Sequence, residues 1–292
     1  MRSLRSPLLA VVLVACQSQK AGVAPGPDAP KKPLAGELPP TVAKQYEASG
    51  LVLDKEGVGP RLCLDGVFLS NPPQCGGIPL VGWDWAKAKG ETTLRGTTWG
   101  EYRVVGTYDG KRLTPTEPPG PPRYRKGYQS TFDTPCREPT GGWARPDPMK
   151  TTQADLIKVN EAAQKVPDFA GLWLTNIVPL PPKADHQDLK EVVVNVTFTG
   201  DLARRRAELR KVWGGVLCVA QQKHSLAELM AIRIRAEAMI RELGLGRQGS
   251  DLDLIRGKIL VDVTTMTAEQ QAQLDEKFGE VLVVTALLRP VP

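Results

Sequence analysis

Apolar and polar residues alternate along two stretches in the last third of the chain, and the two stretches match each other 65 residues apart. A period of two is typical of a β-strand that buries one face. The sequence therefore predicts two related strands. The apolar positions are Val194, Val196 and Phe198 in the first stretch and Ile259, Val261 and Val263 in the second.

A longer similarity follows each of these strands. Residues 207–219 align with residues 272–284 without a gap, and each block ends in a valine-rich segment. Between strand and block we predict a helix, which Asp201 begins in the first copy and a Thr267–Gln270 capping box begins in the second. Gly214 and Gly279 stand where a left-handed residue would end each helix. The pattern predicts two repeated strand–helix–strand units.

One longer helix is predicted between the two units, over 226–243. Ser225 and Glu228 form its capping box, and Gly244 ends it. Its apolar stripe has helical spacing: Leu229, Ile232, Ala236, Ile240 and Leu243. We therefore expect residues 151–292 to form an α/β sandwich of ferredoxin-like character with an extra helix.

Residues 46–114 show short apolar segments, many glycines and no helical period. Asp109-Gly110 between two such segments is a strong hairpin signal. We predict a small disulfide-bearing β-barrel or sandwich, loosely similar to an OB barrel. Residues 115–150 are rich in proline but carry several aromatic residues, so we expect a strap packed on the folded parts. The fold class is α+β.

Composition narrows the class of protein. The chain has 292 residues, of which 41% are hydrophobic and 24% charged, as in an ordinary soluble globular protein. These values exclude a multi-span membrane protein, a coiled coil and a wholly disordered chain. The formal net charge is +6, but opposite charges nearly cancel after residue 155, so we expect no nucleic-acid partner.

The first residues have the features of an export signal. Arg2 and Arg5 precede an apolar run over 8–15, which is far shorter than the roughly 20 residues that a membrane-spanning helix needs. Leu13-Val-Ala-Cys16 resembles the lipobox of bacterial lipoproteins. The resemblance implies a signal peptide over 1–15, cleavage before Cys16 and acylation of its sulfur. A plain secretory signal with a chance cysteine is the alternative.

A lipid anchor fits the next segment. Residues 16–45 contain many prolines and few large apolar groups, as expected of a tether. Several acyl chains on Cys16 would hold the protein at a membrane, since a single chain binds only marginally. We therefore expect a folded part outside the cytoplasm, attached to the cell membrane or the outer membrane. If the cell has an outer membrane, Gln17 in place of an aspartate favours that membrane, by resemblance to lipoprotein sorting.

Four further cysteines would lie in an oxidising compartment: Cys63, Cys75, Cys136 and Cys218. Two disulfides are expected, and three pairings are possible. Of these we favour Cys63–Cys75, which closes a short loop, and Cys136–Cys218, which joins the two halves. Metal binding is the weaker alternative, because there is no C-x-x-C motif and the chain has only two histidines. We predict no metal and no cofactor.

Trp83-Asp84-Trp85 is the strongest candidate for a binding site. In a strand both indoles would point to one face and the Asp84 carboxylate to the other. Exposed indoles can stack on sugar rings while a carboxylate accepts hydrogen bonds from hydroxyl groups. The alternative is an aromatic core of the small β domain.

Other motifs are weaker. Gly244-Leu-Gly-Arg-Gln-Gly249 matches a dinucleotide fingerprint, but it follows a predicted helix and precedes a strand, so we interpret it as a helix stop. Asp251-Leu-Asp253 is interpreted as an exposed turn rather than a calcium loop. His186, between Asp185 and Asp188, could hold a metal or act as a base, but a solvated loop is the simpler interpretation.

Two more clusters have both a functional and a structural interpretation. Cys218 and His224 could form a nucleophile and its base, but Cys218 falls on a predicted strand, which favours packing or a disulfide. Arg204-Arg-Arg206, with Arg210 and Lys211, could contact a polyanion or acidic lipid. Arginine stems flanking an apolar seam are the alternative.

Five segments resemble a group of predicted secreted proteins and lipoproteins of high-GC bacteria. Three lie in the first half of the chain: Asn71-Pro-Pro-Gln-Cys-Gly-Gly77, Gly82-Trp-Asp-Trp85 and Thr97-Thr-Trp-Gly100. The other two are Thr134-Pro-Cys-Arg-Glu-Pro-Thr-Gly-Gly-Trp143 and Val212-Trp-Gly-Gly-Val-Leu-Cys218. The group has no assigned activity. The resemblance therefore implies secretion and a two-part architecture, and it supplies no catalytic residues.

The leading hypothesis is a membrane-anchored, non-enzymatic binding or envelope-interaction protein. Its partner would be an envelope protein or glycan, bound at a sheet edge or at Trp83 and Trp85. A protease-regulating module that docks through a sheet edge or the chain end is the second hypothesis. The third is an envelope hydrolase that uses a pair of carboxylates not identifiable from the sequence.

Overall fold

The computed structural model describes residues 44–64, 66–68, 70–124, 131–178 and 188–291. The signal peptide, Cys16, residues 16–43 of the tether, and His186 with Asp185 lie outside these residues. The described residues all belong to one compact unit. The strands are β1 (Gln45–Lys55), β2 (Gly59–Cys63), β3 (Ile78–Pro79), β4 (Thr92–Leu94), β5 (Thr97–Tyr108), β6 (Leu113–Pro115), β7 (Phe169–Asn176), β8 (Val192–Phe198), β9 (Val216–Gln221), β10 (Arg247–Asp253), β11 (Lys258–Val263), β12 (Leu282–Ala286) and β13 (Arg289–Pro290). The α-helices are α1 (Gln153–Gln164), α2 (Leu202–Arg210), α3 (Leu226–Glu242) and α4 (Ala268–Phe278).

A seven-stranded sheet contains the first six strands and the last one. Its order is β3-β2-β1-β5-β4, with β13 beside β1 and β6 beside β5. The ladder between β1 and β5 runs unbroken from Gln45 and Thr107 to Lys55 and Thr97. The predicted hairpin at Asp109-Gly110 is confirmed, because β5 and β6 pair antiparallel from Tyr108 and Leu113.

The expected barrel or sandwich is replaced by one open sheet. The backbone N–H of Val81 donates to the carbonyl of Leu113 at 3.0 Å, which joins the β3 end of the sheet to β6 at a single point. Because no ladder follows from this contact, the sheet does not close. One apolar core covers its inner face and includes Val52, Leu62 and Tyr102.

The chain returns to this first sheet at its end. Arg289 pairs with Glu47 and Pro290 with Tyr46, and the fully buried Leu288 belongs to the core of the first sheet. The idea that the last residues extend towards a partner is therefore wrong for residues 287–290. The N–H groups of Leu287 and Leu288 donate to the carbonyls of Val263 and Thr264, and the next two residues pair with β1.

The rest of the unit is built from two copies of one α–β–β–α–β motif. The first copy is α1-β7-β8-α2-β9 and the second is α3-β10-β11-α4-β12. In both, the last two strands are parallel, and their registers agree: Val194 pairs with Leu217, and Ile259 pairs with Leu282. The predicted repeat is thus confirmed and is larger than the two strand–helix–strand units.

The strand that completes each sheet is also duplicated. β7 and β10 pair antiparallel with β8 and β11, and each ladder has a bulge just before a glycine, Gly171 or Gly249. The helices of each copy pack on one face of its own sheet. The copies form two separate three-stranded sheets, whereas a ferredoxin-like sandwich has a single four-stranded sheet. The structure is thus a mixed α+β fold.

Local signals account for most helix ends. The capping boxes at Ser225 and Thr267 are formed, and Asp201 caps α2. Gly244 follows α3 with a positive φ of 70°, as expected of a helix stop. Gly214 does not end α2, however, because that helix already ends at Arg210 with Lys211 as its C-cap. The helix α1 was not predicted, although Thr152 and Asp155 give it a capping box.

Candidate functional site

The Trp83-Asp84-Trp85 segment is not a strand. Trp83 follows a bend at Val81 and Gly82, and Trp85 begins a 3₁₀ turn that Asp84 caps by accepting a hydrogen bond from the N–H of Ala86 at 3.0 Å. The Asp84 carboxylate is also 3.3 Å from the ammonium of Lys87. The prediction that the indoles and the carboxylate point to opposite faces of a strand is therefore wrong.

Both indoles pack against the core of the first sheet. The ring centroids of Trp83 and Trp85 are 5.5 Å apart, and each lies near Tyr102, at 5.4 and 6.1 Å. Trp85 Nε1 donates to the Asp54 carboxylate at 2.9 Å. The two indoles thus pack as in an aromatic core of the β domain, which was the alternative interpretation of this motif. A binding role for Trp83, Asp84 and Trp85 stays a prediction.

A small cavity of about 180 Å³ borders this cluster and contains two carboxylates, Asp84 and Glu117. Each is already engaged by a cation: Asp84 by Lys87, and Glu117 by Arg103 at 3.3 Å. The arrangement gives this cavity two ion pairs rather than a carboxylate pair of the kind a glycosidase uses.

The cysteines form the two disulfides favoured on sequence grounds, Cys63–Cys75 and Cys136–Cys218. The second one fastens the strap to β9, so Cys218 has no thiol to act as a nucleophile beside His224. Among the described residues, no group of three or more His, Cys, Asp or Glu side chains is placed to hold a metal ion.

The arginine cluster of α2 is engaged within the first copy. Arg205 forms a two-point ion pair with Asp168, at 3.0 and 2.7 Å, and also reaches Glu208. Arg206 donates to the carbonyls of Leu217 and Val219. Arg210 donates to Gly215, and burial lowers its pKa, with a smaller contribution from the nearby Arg206 charge. The interpretation as arginines flanking an apolar seam fits these contacts.

A larger basic cleft lies in the second copy of the motif. Its volume is about 520 Å³, and four nitrogen-bearing side chains line it: Lys223, His224, Arg235 and Lys277. Ile232, Phe278 and Val281 supply its apolar lining. We call this site the basic cleft.

Three elements position the basic groups of the cleft. Lys223 and His224 stand just before the Ser225 cap of α3, Arg235 lies on the exposed side of that helix, and Lys277 lies in the last turn of α4. Within the described ranges, neither lysine nor Arg235 forms an ion pair with a carboxylate. The lining carboxylate of Glu280 is 97% exposed and sits 4.0 Å from Lys258. The cleft therefore carries a net positive charge, since three cations line it beside one carboxylate.

Capping hydrogen bonds dominate the electrostatics at the rim of the cleft. The pKa of Glu228 is held below its ordinary value mainly by the hydrogen bond from the Ser225 backbone, then by the Ser225 hydroxyl, and to a smaller extent by His224. The α3 helix starts directly after Ser225, and the preceding His224 lines the cleft. The N-terminal end of α3, which carries a partial positive charge, therefore lies beside the cleft.

The cleft exists because the two copies differ at one loop. In the first copy, the turn at 147–150 closes onto Gly214: Asp147 N–H donates to the Gly214 carbonyl at 3.1 Å, and Gly214 N–H donates to Lys150 at 2.8 Å. A Cβ on Gly214 would stand 2.8 Å from Lys150. At Gly279, the equivalent residue, a Cβ would meet nothing within 4 Å. The space filled in the first copy is open in the second.

Sequence reasoning singled out His224 but missed the three cations around it. Lys223, Arg235 and Lys277 lie on separate elements, and only the fold brings them together. The sequence contained one indication of the cleft. The two repeats align Gly214 with Gly279, but the position that is Val212 in the first repeat is Lys277 in the second.

No protein-family model matches the chain, and no curated protein matches its sequence. Among the residues placed by the structure, none of the helices has the length and apolar character required to cross a bilayer. The site must therefore be interpreted from its own geometry.

Proposed function

We propose that this chain is a lipid-anchored, extracytoplasmic protein of the cell envelope that binds an anionic ligand in the basic cleft and catalyses no reaction. The observation that carries the proposal is the set of cations around an open cavity, where no carboxylate among the described residues forms an ion pair with Lys223, Arg235 or Lys277. Placement outside the cytoplasm is supported by two disulfides and by the lipobox ending at Cys16.

The chemistry of the cleft selects the ligand class. Lysine ammonium and arginine guanidinium groups bind phosphate and carboxylate oxygens. The aliphatic and aromatic lining from Ile232, Phe278 and Val281 gives room for an apolar or sugar body attached to the anion. An acidic envelope glycan or another phosphate- or carboxylate-bearing polymer combines these features. Because the cations are exposed, we expect binding to weaken as salt is added.

Binding would be measured on a soluble form of the chain that begins at residue 17 and keeps every described residue. The probes are inorganic polyphosphate and polygalacturonate, which separate phosphate from carboxylate recognition. We expect calorimetry to detect binding of at least one of the two and the double variant Lys223→Ala, Lys277→Ala to bind it at least tenfold more weakly.

The matched control removes two exposed lysines from the first copy, Lys165 and Lys211. It has the same net charge as the cleft variant, so a purely non-specific attraction would weaken equally in both. Equal weakening, or no binding of either polymer, would count against the cleft as a site.

The anchor is tested separately in cells. Palmitate labelling and membrane fractionation are compared for the natural chain and Cys16→Ala. We expect label and membrane association to disappear in the variant. An unlabelled natural chain that is still exported would instead support the plain secretory signal.

A further inference from the structure

The two copies of the motif differ in what covers the outer face of their sheets, the face opposite the helices. In the first copy, residues 131–143 of the strap lie over it. Cys136 is bonded to Cys218, and Trp143 packs with Val193 and Val216 on that face. An extended segment is thus a structural part of the first copy.

Hydrogen bonds hold the start of this segment along β7. Trp173 Nε1 donates to the carbonyl of Asp133 at 3.1 Å, and the Thr175 hydroxyl donates to the carbonyl of Phe132. Phe132 itself is 67% exposed. The segment therefore begins with an aromatic side chain that the first copy does not bury.

The equivalent face of the second copy has a different surface. Leu260 and Val283 pair in β11 and β12 as Asn195 and Cys218 pair in the first copy. They point away from the helices and are not part of the apolar core of their own copy. Within the described part of the chain, no segment is disulfide-bonded to this face, because Val283 stands where the cysteine would be.

A cavity of about 290 Å³ opens on this side of the second sheet and continues from the start of the strap segment. Phe132, Leu172 and Trp173 form one side, and Leu254, Ile255 and Leu260 contribute apolar surface from β11 and the turn before it. The cavity is therefore mostly apolar. It lies next to the part of β7 along which the strap, an extended segment of this chain, is already bound.

The polar edge of the cavity is acidic. Asp251 also lines the cavity. One of its carboxylate oxygens accepts a hydrogen bond from the N–H of Leu252 at 2.7 Å. No lysine or arginine among the described residues forms an ion pair with this carboxylate. Lys258, on the same face of β11, donates to the carbonyl of Glu280 at 2.6 Å. An exposed carboxylate beside an apolar cavity selects an occupant with both an apolar and a cationic group.

We propose that the outer face of the second sheet binds an extended segment of a partner protein in which an aromatic side chain is close to a lysine or arginine. The aromatic ring fills the cavity beside Leu260, the cation lies on Asp251, and the backbone crosses β11 and β12 as the strap crosses β8 and β9. This site is separate from the basic cleft, and neither proposal depends on the other.

The test uses the strap sequence as the probe, because it has the stated chemistry. A peptide of residues 131–145 contains Phe132, Trp143 and two arginines, together with Cys136. In the variant Val283→Cys, a thiol stands at the place of Cys218. We expect this variant to form a mixed disulfide with the peptide in a buffer of reduced and oxidised glutathione, in which the oxidised form accepts the two electrons. Trapping should be at least tenfold greater than with Ala272→Cys, an exposed position on α4.

Two surface changes then test the contacts. Adding Leu260→Glu or Asp251→Lys to Val283→Cys should lower trapping at least fivefold. Anisotropy of a labelled peptide with Cys136 replaced by serine gives the same comparison without the engineered cysteine. Trapping equal to that of Ala272→Cys, or binding unchanged by both substitutions, would overturn the proposal. Disulfide-linked dimers of Val283→Cys that exclude the peptide would also overturn it, in favour of a second copy of this chain.

Discussion

Cys218 and Val283 occupy the same position in two copies of one motif, since Cys218 pairs with Asn195 across its parallel ladder just as Val283 pairs with Leu260. In the first copy, the residue at this position forms a disulfide with the strap. In the second copy, it is an apolar valine side chain. Because the backbone register is identical, the difference between the copies lies in the side chains and in what the chain supplies to cover them.

Removing the Cys136–Cys218 disulfide should destabilise the fold more than removing Cys63–Cys75. The separations are 82 and 12 residues, and the chain-entropy model gives about 4.5 and about 3 kcal/mol respectively. The paired serine variants would be compared by urea unfolding under non-reducing conditions. A larger loss from the short loop would show that local packing, rather than loop length, sets the effect.

Gly171→Ala should destabilise the protein, whereas Gly249→Ala should not. A Cβ at Gly171 would stand 2.9 Å from the Leu254 Cβ and 3.2 Å from the Leu254 carbonyl, while at Gly249 the nearest atom is an Asp262 oxygen at 3.6 Å. Overpacking of this kind costs about 1–3 kcal/mol. Thermal unfolding of the two variants gives the comparison, and equal melting temperatures would contradict it.

Arg205→Lys should lose much of the stability that Arg205 provides. A guanidinium presents two parallel N–H donors to the two Asp168 oxygens, which an ammonium does not, and the Arg205 side chain is 13% exposed. Breaking this pair leaves a partly buried carboxylate, so Arg205→Ala should cost about 3 kcal/mol. The exposed neighbour Arg204 serves as control, because its bond to Glu208 is open to solvent. Equal losses at both positions would refute the distinction.

Acid should weaken the first turns of α1 and α3. The Thr152 hydroxyl, and next Lys158, hold the pKa of Asp155 below its usual value, and the Ser225 backbone N–H does the same for Glu228. Carboxyls with a lowered pKa in the folded state stabilise it above their unfolded pKa, near 4, and this stabilisation is lost as the pH falls through the folded pKa.

The melting temperature of the double variant Asp155→Asn, Glu228→Gln should therefore fall less steeply than that of the natural chain below about pH 4. Glu276→Gln, at an exposed carboxylate of α4, should leave the slope unchanged. Parallel curves for all three proteins would argue against the capping carboxylates as the source of acid sensitivity.

Local patterns in the sequence predicted the parts of the fold that local physics determines. The α3 helix, its capping box at Ser225 and the 65-residue repeat were all recognisable, because spacing and caps act within a few residues. The β7 and β10 strands were missed because they repeat at a different offset, from Gly171 to Gly249. A loop-length difference between the copies hides this part of the duplication.

Long-range contacts account for most of what the sequence did not predict. The first sheet includes β13 paired with β1, and nothing near Arg289 indicates that partner. Trp83-Asp84-Trp85 alternates like a strand, but Asp84 caps a turn because the indoles find Tyr102 and Asp54. The basic cleft depends on three elements, so no single stretch of sequence contains it.

The pairing of β13 with β1 also sets an order of events during folding. Leu288 is fully buried in the core of the first sheet, so the part of the fold that is synthesised first is completed last. Until residues 288–290 pair with it, β1 keeps an unpaired edge at Tyr46 and Glu47, and such edges recruit other strands. A chain shortened before Leu288 should consequently aggregate as it folds rather than yield a stable first sheet.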